Sequence, residues 1–221
     1  MCGRFSLTSN ISSILKEFDL SDVPFELSPE YNIAPGRDIV IVINDGANRL
    51  IKCRWGFIPS WARDPSIGHK MINARAETVT EKPSFRTAFK KHRGLVVADG
   101  FYEWLKQDKK KIPQYVHLKS GRPFGFAGLY SSWNSPEGKK IFTCTIITTT
   151  ANNILEPIHN RMPVIIPKDR QKLWLDPEVY DGKILQSLLK PYPDEEMEGY
   201  EVSDKVNSPS YDSPNSIIPI K

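Results

Sequence analysis

The stretch IVIVINDGANRLIKCRWGF, residues Ile39–Phe57, decides how the centre of this chain folds. Its first part, Ile39–Asn44, is a run of β-branched residues, which is typical of a β-strand. The dipeptide Asp45-Gly46 follows, and it favours the tight turn of a β-hairpin. A second strand is expected over Arg49–Phe57. The stretch therefore predicts two antiparallel strands joined by a short turn.

The segment before this hairpin predicts a short helix. Ser9 is positioned to cap it, because serine side chains accept hydrogen bonds from the free N–H groups of a first helical turn. The helix has an apolar face at helical spacing, which comprises Ile11, Ile14, Leu15 and Phe18. Beyond the hairpin, a second helix is expected to start at Pro83 and Ser84. Its inward-facing residues would be Phe85, Ala88 and Phe89.

The second half of the chain is rich in β-strand patterns. Further strands are expected at Leu95–Ala98, Tyr102–Gln107, Gln114–Leu118, Phe124–Leu129 and Lys140–Thr149. Two helices and a last short β segment are expected at Lys168–Leu175, Lys183–Lys190 and Glu201–Val206. Many strands with few helices predict an α+β fold, with a mixed, partly barrel-like β-sheet core and a few peripheral helices. We expect one domain over residues 1–221.

Composition excludes several classes of protein. Of the 221 residues, 39% are apolar and 25% charged, which is typical of a globular protein and excludes collagen, coiled coil and wholesale disorder. No apolar run reaches the length of a membrane span, the densest stretch being Phe142–Ile147. The start lacks the apolar core of a secretory signal, so we expect a cytoplasmic protein, associated with the nucleoid if the source is bacterial.

Charge and metal-ligand patterns carry little information. The net charge of +4 is compatible with a polyanionic partner but does not establish one. The three cysteines (Cys2, Cys53 and Cys144) are too few and too scattered for a disulfide framework or a paired-cysteine metal site. The four histidines show no metal-ligand spacing, and no phosphate-binding glycine motif occurs. We expect neither a metal nor a cofactor.

Cys2 is the most informative residue of the chain. Removal of an initiator Met1 favours a small second residue, so the mature chain is expected to begin with cysteine. Its α-amine has an ordinary pKa of about 7.7–8.0, which leaves a fraction neutral at physiological pH. An amine and a thiol on adjacent carbons could trap an aldehyde as a thiazolidine, or act as an N-terminal nucleophile hydrolase. The alternative is a cysteine that stands at position 2 by chance.

Four polar residues lie in apolar surroundings. Asn73 and Arg75 occur in MINARAE, and His159 occurs between two prolines in PIHNRMP, which predicts an irregular loop. Glu103 lies in DGFYEW, where desolvation by aromatic neighbours would raise its pKa and suit it to proton transfer. The alternatives are a strand glutamate that faces outward and a loop histidine with a structural role. Of the two tryptophans in RWGFIPSW, Trp55 is assigned to the core and Trp61 to the surface.

Six motifs occur in an order that points to one family. They are MCGRF at the start, YNIAP (Tyr31–Pro35), WGFIPSW (Trp55–Trp61), INAR (Ile72–Arg75), ADGFYEW (Ala98–Trp104) and HNRMP (His159–Pro163). Together they resemble the SOS-response-associated peptidase (SRAP) family of abasic-site processing proteins. The resemblance extends over nearly the whole chain.

The resemblance implies a DNA damage response protein that senses abasic sites in single-stranded DNA. Cys2 would form a covalent thiazolidine crosslink with the ring-opened sugar after autoproteolytic or aminopeptidase removal of Met1. Asn73 would hold the crosslinked species, Glu103 would assist ring opening and act on the Cys2 amine, and His159 would assist the ring-opened species and reversal. The implied activities are crosslinking, autopeptidase or hydrolase action, and lyase-type chemistry.

The resemblance also assigns DNA-binding residues. Arg4 and Arg75 match arginines that bind backbone phosphates, and Pro35 and Trp61 match an apolar wedge that stops duplex DNA. Ala62 departs from relatives that have a second aromatic residue there, which puts strand separation in doubt. Two rival functions remain: a cysteine peptidase acting on other proteins, and a non-covalent single-strand binder. No membrane partner is expected, and the sequence indicates no protein partner.

Overall fold

A computed structural model describes residues 2–220, so the predicted removal of Met1 concerns a residue outside the described range. Within that range the chain forms thirteen strands and four α-helices. The strands are β1 (Phe5–Leu7), β2 (Glu30–Ile33), β3 (Asp38–Asn44), β4 (Asn48–Trp55), β5 (Asn73–Arg75), β6 (Arg93–Ala98), β7 (Gly100–Gln107), β8 (Lys110–Leu118), β9 (Phe124–Asn134), β10 (Lys140–Thr150), β11 (Arg161–Pro163), β12 (Ile165–Ile166) and β13 (Met197–Glu201). The helices are α1 (Ile11–Phe18), α2 (Arg86–Lys91), α3 (Lys168–Leu175) and α4 (Gly182–Ser187).

Five strands close into a barrel. The order β4-β3-β6-β9 is antiparallel throughout, and β10 completes the ring by pairing with both β9 and β4. The pairing of β10 with β4 is parallel, and β5 continues beside β10 in the same parallel sense. A second sheet has the order β13-β8-β7-β1-β2. The predicted α+β fold with a mixed, partly barrel-like core is confirmed.

The predicted central hairpin is the β3–β4 pair of this barrel. Residues Ile39–Ile43 are all buried, as a run of β-branched residues in a barrel wall requires. Asn44 pairs with Asn48 at the turn, where Gly46 adopts a φ of 116° that residues with a side chain rarely adopt. The hairpin signal in the sequence therefore corresponds to the real turn.

Aromatic residues join the two sheets. Phe5 of β1 lies between Trp55 and Phe126 of the barrel, with ring-centroid distances of 5.2 Å and 6.0 Å. Phe101 of β7 also contacts Phe126, at 5.9 Å. All four rings are at most 1% exposed, and full burial of such a side chain stabilises the fold by about 1.5–3 kcal/mol. The N-terminal segment is thereby fixed against the barrel.

Some predicted boundaries were wrong. Asn10 caps α1, because its Oδ1 accepts a hydrogen bond from the Ser13 N–H at 2.9 Å. Ser9 instead donates its hydroxyl to Asp99 at 2.6 Å, since Asp99 lies at the end of β6 beside it. The predicted β segment at Glu201–Val206 overlaps strand β13 only at Glu201, and its last three residues belong to the 3-10 turn Asp204–Asn207.

Helices α2 and α4 are shorter than predicted, whereas α3 has the predicted bounds. No helix within residues 2–220 is long and apolar enough to cross a membrane.

Candidate active site

Cys2 lies beside the strand that carries Glu103. The segment before β1 runs along β7, where the Tyr102 N–H donates to the Arg4 carbonyl at 3.0 Å. The Cys2 side chain is fully buried. Burial, and then the negative charge of Glu103, raise the pKa of the Cys2 thiol. The thiol is therefore protonated at neutral pH, with a carboxylate nearby that can receive its proton.

Glu103 is a buried carboxyl group. It is only 3% exposed, so the alternative of an outward-facing strand glutamate is excluded. Burial raises the pKa of Glu103. A carboxyl group with a raised pKa holds its proton to a higher pH than an ordinary glutamate, which suits it to general acid–base chemistry.

His159 lies in the predicted irregular loop, with its orientation fixed by backbone groups. Its backbone N–H donates to the Leu155 carbonyl at 2.7 Å. Its Nδ1 accepts a hydrogen bond from the Arg161 N–H at 3.0 Å. A neutral His159 therefore carries its proton on Nε2. The loop thus presents a ring whose tautomer is defined.

Glu103 and His159 line one cavity of about 410 Å³. The other lining residues are Trp104, Lys106, Lys111 and Asn207. The Trp104 indole donates to Asn207 Oδ1 at 2.6 Å, and the Arg4 guanidinium lies 5.8 Å from its ring centroid. Asn207 and Arg4 therefore fix Trp104, which forms one wall of the cavity, from two sides.

Asn73 starts β5, which runs parallel to β10 and pairs Asn73 with Ile146. The Asn73 Nδ2 group donates to the Ile146 carbonyl at 3.5 Å. Its Oδ1 atom is buried with no hydrogen-bond partner among the described residues. A buried acceptor without a hydrogen bond destabilises the folded protein by about 1–3 kcal/mol. Such atoms are therefore often found where a ligand binds. Arg75, two residues further, is exposed.

Sequence reasoning missed Arg161, which links the Asn73 strand to the His159 loop. Its guanidinium donates to the Thr148 carbonyl of β10 at 2.6 Å and to Glu77 at 2.5 Å. Residues 146–150 of β10 have β5 on one side and β11 on the other, so Arg161 bridges across this strand. The signal was its place inside HNRMP, directly after the loop histidine.

The predicted DNA-binding residues differ in their exposure. Arg75 and Pro35 are exposed. Trp61 is 64% exposed and Trp55 is buried, as the sequence predicted for both tryptophans. Arg4 is buried, and its guanidinium donates to Asn32 Oδ1 and to the Val206 carbonyl, both at 2.7 Å. No cluster of three potential metal ligands occurs between residues 2 and 220.

A sequence profile identifies the family. The profile of the SOS response associated peptidase (SRAP) family matches residues 1–209. This chain belongs to the SRAP family. The matched range contains every predicted site residue, and it also contains Asn207 and the two lysines of the cavity.

Relatives and solved structures agree with the SRAP assignment. The chain is 52% identical to the abasic site processing protein YoqW of Bacillus subtilis (strain 168), over 98% of this chain and 99% of that protein. It is 29% identical to the abasic site processing protein YedK of Escherichia coli (strain K12), over 81% of each. A crystal structure of a protein from Bacteroides thetaiotaomicron has a TM-score of 0.90 at 29% identity, over 100% of both chains. The SRAP fold of this chain is therefore shared along its whole length.

Proposed function

We propose that this SRAP protein senses abasic sites in single-stranded DNA and forms a thiazolidine crosslink through Cys2 once Met1 has been removed. The observation that carries the proposal is the position of Cys2 beside the buried carboxyl group of Glu103, in a chain of this family. Relatives at up to 52% identity are named abasic site processing proteins, which supports a damaged-DNA substrate.

The proposed reaction joins both nucleophiles of Cys2 to one carbon. The abasic sugar opens to an aldehyde, and the Cys2 amine adds to that carbon with loss of one water, giving an imine. The thiol sulfur then adds to the imine carbon, and the thiol proton ends on the nitrogen. The product is a five-membered thiazolidine, with one C–N and one C–S bond in place of the carbonyl.

Glu103 would move the protons of these steps, and His159 would assist. As a carboxylate, Glu103 accepts the proton of the ring hydroxyl or of the thiol, and its raised pKa suits it to return that proton. When the link reverses, the His159 Nε2–H would donate a hydrogen bond that stabilises the leaving group while Glu103 supplies the proton, since Nδ1 is held as an acceptor. General acid–base contributions of this kind amount to about 10²–10⁴ in rate.

Asn73 and the arginines would position the DNA. The buried Oδ1 of Asn73 offers an acceptor to the amine or to a sugar hydroxyl of the bound species. Arg75 is exposed and would contact a backbone phosphate directly. Arg4 would act from the interior, since its guanidinium is already hydrogen-bonded to Asn32 and Val206.

Closure of the ring would protect the lesion. An imine at the sugar carbon withdraws electrons, so a proton is lost from the next carbon and the neighbouring phosphate leaves with strand breakage. Addition of the thiol removes the imine and stops this elimination. An imine that escapes closure would account for lyase-type activity.

A peptidase acting on other proteins is the first rival. Cysteine peptidases use a thiolate whose pKa is lowered by a neighbouring cation. In this chain burial and Glu103 raise the pKa of the Cys2 thiol instead. This direction favours the amine as the first nucleophile, and it disfavours peptidase action on other proteins.

One experiment separates the three functions. The mature protein is incubated with a single-stranded oligonucleotide that contains one abasic site, and in parallel with a casein substrate. An adduct that survives denaturing electrophoresis supports the proposal. Cleavage of casein without an adduct would support a peptidase, and salt-sensitive binding alone would support a non-covalent binder.

A further inference from the structure

The β7–β8 hairpin next to Glu103 carries an unusual concentration of positive charge. Its tip contains four lysines and one acidic residue, in the order Lys106, Asp108, Lys109, Lys110 and Lys111. All five side chains are exposed. The tip is tight, with Asp108 at a φ of 53°, so the lysines are attached to a defined backbone.

Two of these lysines face each other directly. In the strand register Lys106 pairs with Lys111, one step beyond the pair of Leu105 with Ile112. Directly opposed residues of an antiparallel pair have Cβ atoms about 4.5–5.5 Å apart, and their side chains project from the same face of the sheet. Like charges in this position repel each other, which destabilises the free protein.

No carboxylate neutralises this pair. Within residues 2–220 neither lysine forms an ion pair within 4.0 Å, whereas Arg49 and Arg161 on other surfaces do. Lys111 also lines a second cavity with Glu201 and Asp204, and these carboxylates do not reach it. The arrangement leaves two ammonium groups with their hydrogen-bond donors directed to solvent or to a ligand.

The lysine pair belongs to the cavity of the candidate site. Lys106 and Lys111 line the same cavity as Glu103, Trp104 and His159. A ligand in this cavity therefore lies near both lysines. Two convergent ammonium groups are suited to an anion with several oxygens, such as a phosphodiester.

We propose that Lys106 and Lys111 together bind one backbone phosphate of the DNA strand, next to the abasic nucleotide held at Cys2. This inference rests on the proposed function, since it assigns a phosphate contact to the same site. The bound phosphate would remove the repulsion between the two lysines. The hairpin would thus fix the path of the strand on one side of the lesion.

The test uses the full chain with Met1 removed and an abasic oligonucleotide as the probe. The double variant Lys106→Gln/Lys111→Gln is compared with a control of equal charge change, Lys172→Gln/Lys183→Gln, on helices α3 and α4. Single-strand binding loses about 0.7 in its log–log salt slope for each lost phosphate contact. We expect the slope of the hairpin variant to fall by about 0.7, since the two lysines share one phosphate, and that of the control to stay unchanged.

A second measurement locates the phosphate. Each phosphate of the oligonucleotide is replaced in turn by a neutral methylphosphonate, and the crosslinking rate is measured. We expect one replacement near the lesion to slow the wild-type protein but to have no added effect on the hairpin variant. Equal salt slopes in the hairpin variant and the control variant would overturn the inference. So would the same methylphosphonate profile in the hairpin variant and the wild type.

The two proposals fail in distinguishable ways. If the wild-type protein forms no denaturation-resistant adduct at low salt, the proposed function itself is wrong. If the wild type crosslinks and the hairpin variant matches it at every salt concentration, only the lysine proposal is wrong. The thermal midpoint of the hairpin variant is expected to be unchanged or raised, because the substitutions remove a repulsion, so misfolding is detected separately.

Discussion

At the scale of single residues, Cys2 determines which chemistry is open to the site. Its thiol is buried and its pKa is raised, so in the proposed mechanism it reacts after the amine has formed an imine. We expect Cys2→Ser to bind abasic DNA but to form no stable adduct, because a hydroxyl closes onto an imine far less readily than sulfur. Only borohydride should trap its imine. A serine variant whose adduct survives heat and denaturant would contradict the thiazolidine.

Glu103 is expected to contribute to activity at the expense of stability. Its pKa is raised in the folded protein, so the folded state binds more protons than the unfolded state above the ordinary value of 4.5. Stability is therefore lost as the pH rises from 4.5 through the folded pKa. We expect Glu103→Gln to slow crosslinking by about 10²–10⁴ and to raise the thermal midpoint at pH 7 but not at pH 4.

The matched control for that variant is Glu81→Gln, whose side chain is exposed. The control should change neither the crosslinking rate nor the thermal midpoint. A Glu103→Gln protein that crosslinks at the parent rate across roughly pH 5–9 would show that the glutamate is only structural.

His159 should matter more for reversal than for formation of the link. The reverse step builds negative charge on a leaving group, and the Nε2–H of neutral His159 can donate a hydrogen bond that stabilises it. We expect His159→Ala to form the adduct at a rate close to the parent and to release it more slowly in a competitor chase. Unchanged release together with slow formation would reverse this assignment.

At the scale of elements, the sequence predicted most of the regular structure and little of the irregular structure. The strand runs and the Asp45-Gly46 turn carry strong local signals, and the β3–β4 hairpin and α3 were predicted well. The short strands β1, β2, β5, β11 and β12 were missed, because only tertiary pairing makes them strands. Ser9 was misassigned as a cap because Asp99, distant in sequence, competes for it.

The site was predicted through motifs rather than through geometry. The contribution of the C-terminal segment could not be predicted, because Asn207 and Val206 reach Trp104 and Arg4 only in the folded chain. Asn32 holds this segment, since its Nδ2 donates to the carbonyls of Val206, Ser208 and Tyr211. The 3-10 turn at Asp204–Asn207 is thus a structural part of the site.

Because Arg4 is buried and Arg75 is exposed, the two predicted phosphate-binding arginines are expected to have different roles. Arg75→Ala should leave the thermal midpoint unchanged and lower the salt slope of single-strand binding by about 0.7, since Arg75 is exposed. Arg4→Ala should lower the free energy of unfolding by about 1.5–3 kcal/mol, because charged hydrogen bonds to Asn32 and Val206 are lost. Equal stability of the two variants would contradict this separation.

At the scale of the whole molecule, the fold joins a closed barrel to a second sheet, and the candidate site residues are distributed over both. Cys2 and Glu103 belong to the second sheet and its leading segment, whereas Asn73 is attached to the barrel through β10. Because Phe5 packs on Trp55 at 5.2 Å, the two parts hold their relative position. Such rigidity suits a reaction that needs amine, thiol and carboxylate at one carbon.

Substitution of the exposed Trp61 tests whether this residue gives the protein its preference for single strands. If Trp61 acts as a wedge, Trp61→Ala should crosslink a single-stranded abasic site at the parent rate. It should lose activity when the lesion lies at a junction with duplex DNA. Trp55 is no control because it is buried, so Tyr180→Ala, another exposed aromatic residue, serves instead. Equal activity of Trp61→Ala on both substrates would show that Trp61 does not act as a wedge.

The most direct test of the central claim is the intact mass of the protein after incubation with a single-stranded abasic oligonucleotide. The account predicts one species at the mass of the chain without Met1 plus the oligonucleotide minus one water, stable to denaturant and without borohydride. Peptide mapping should place the link on Cys2. A chain that retains Met1 and still forms the adduct, or an adduct that maps to any other residue, would contradict the account.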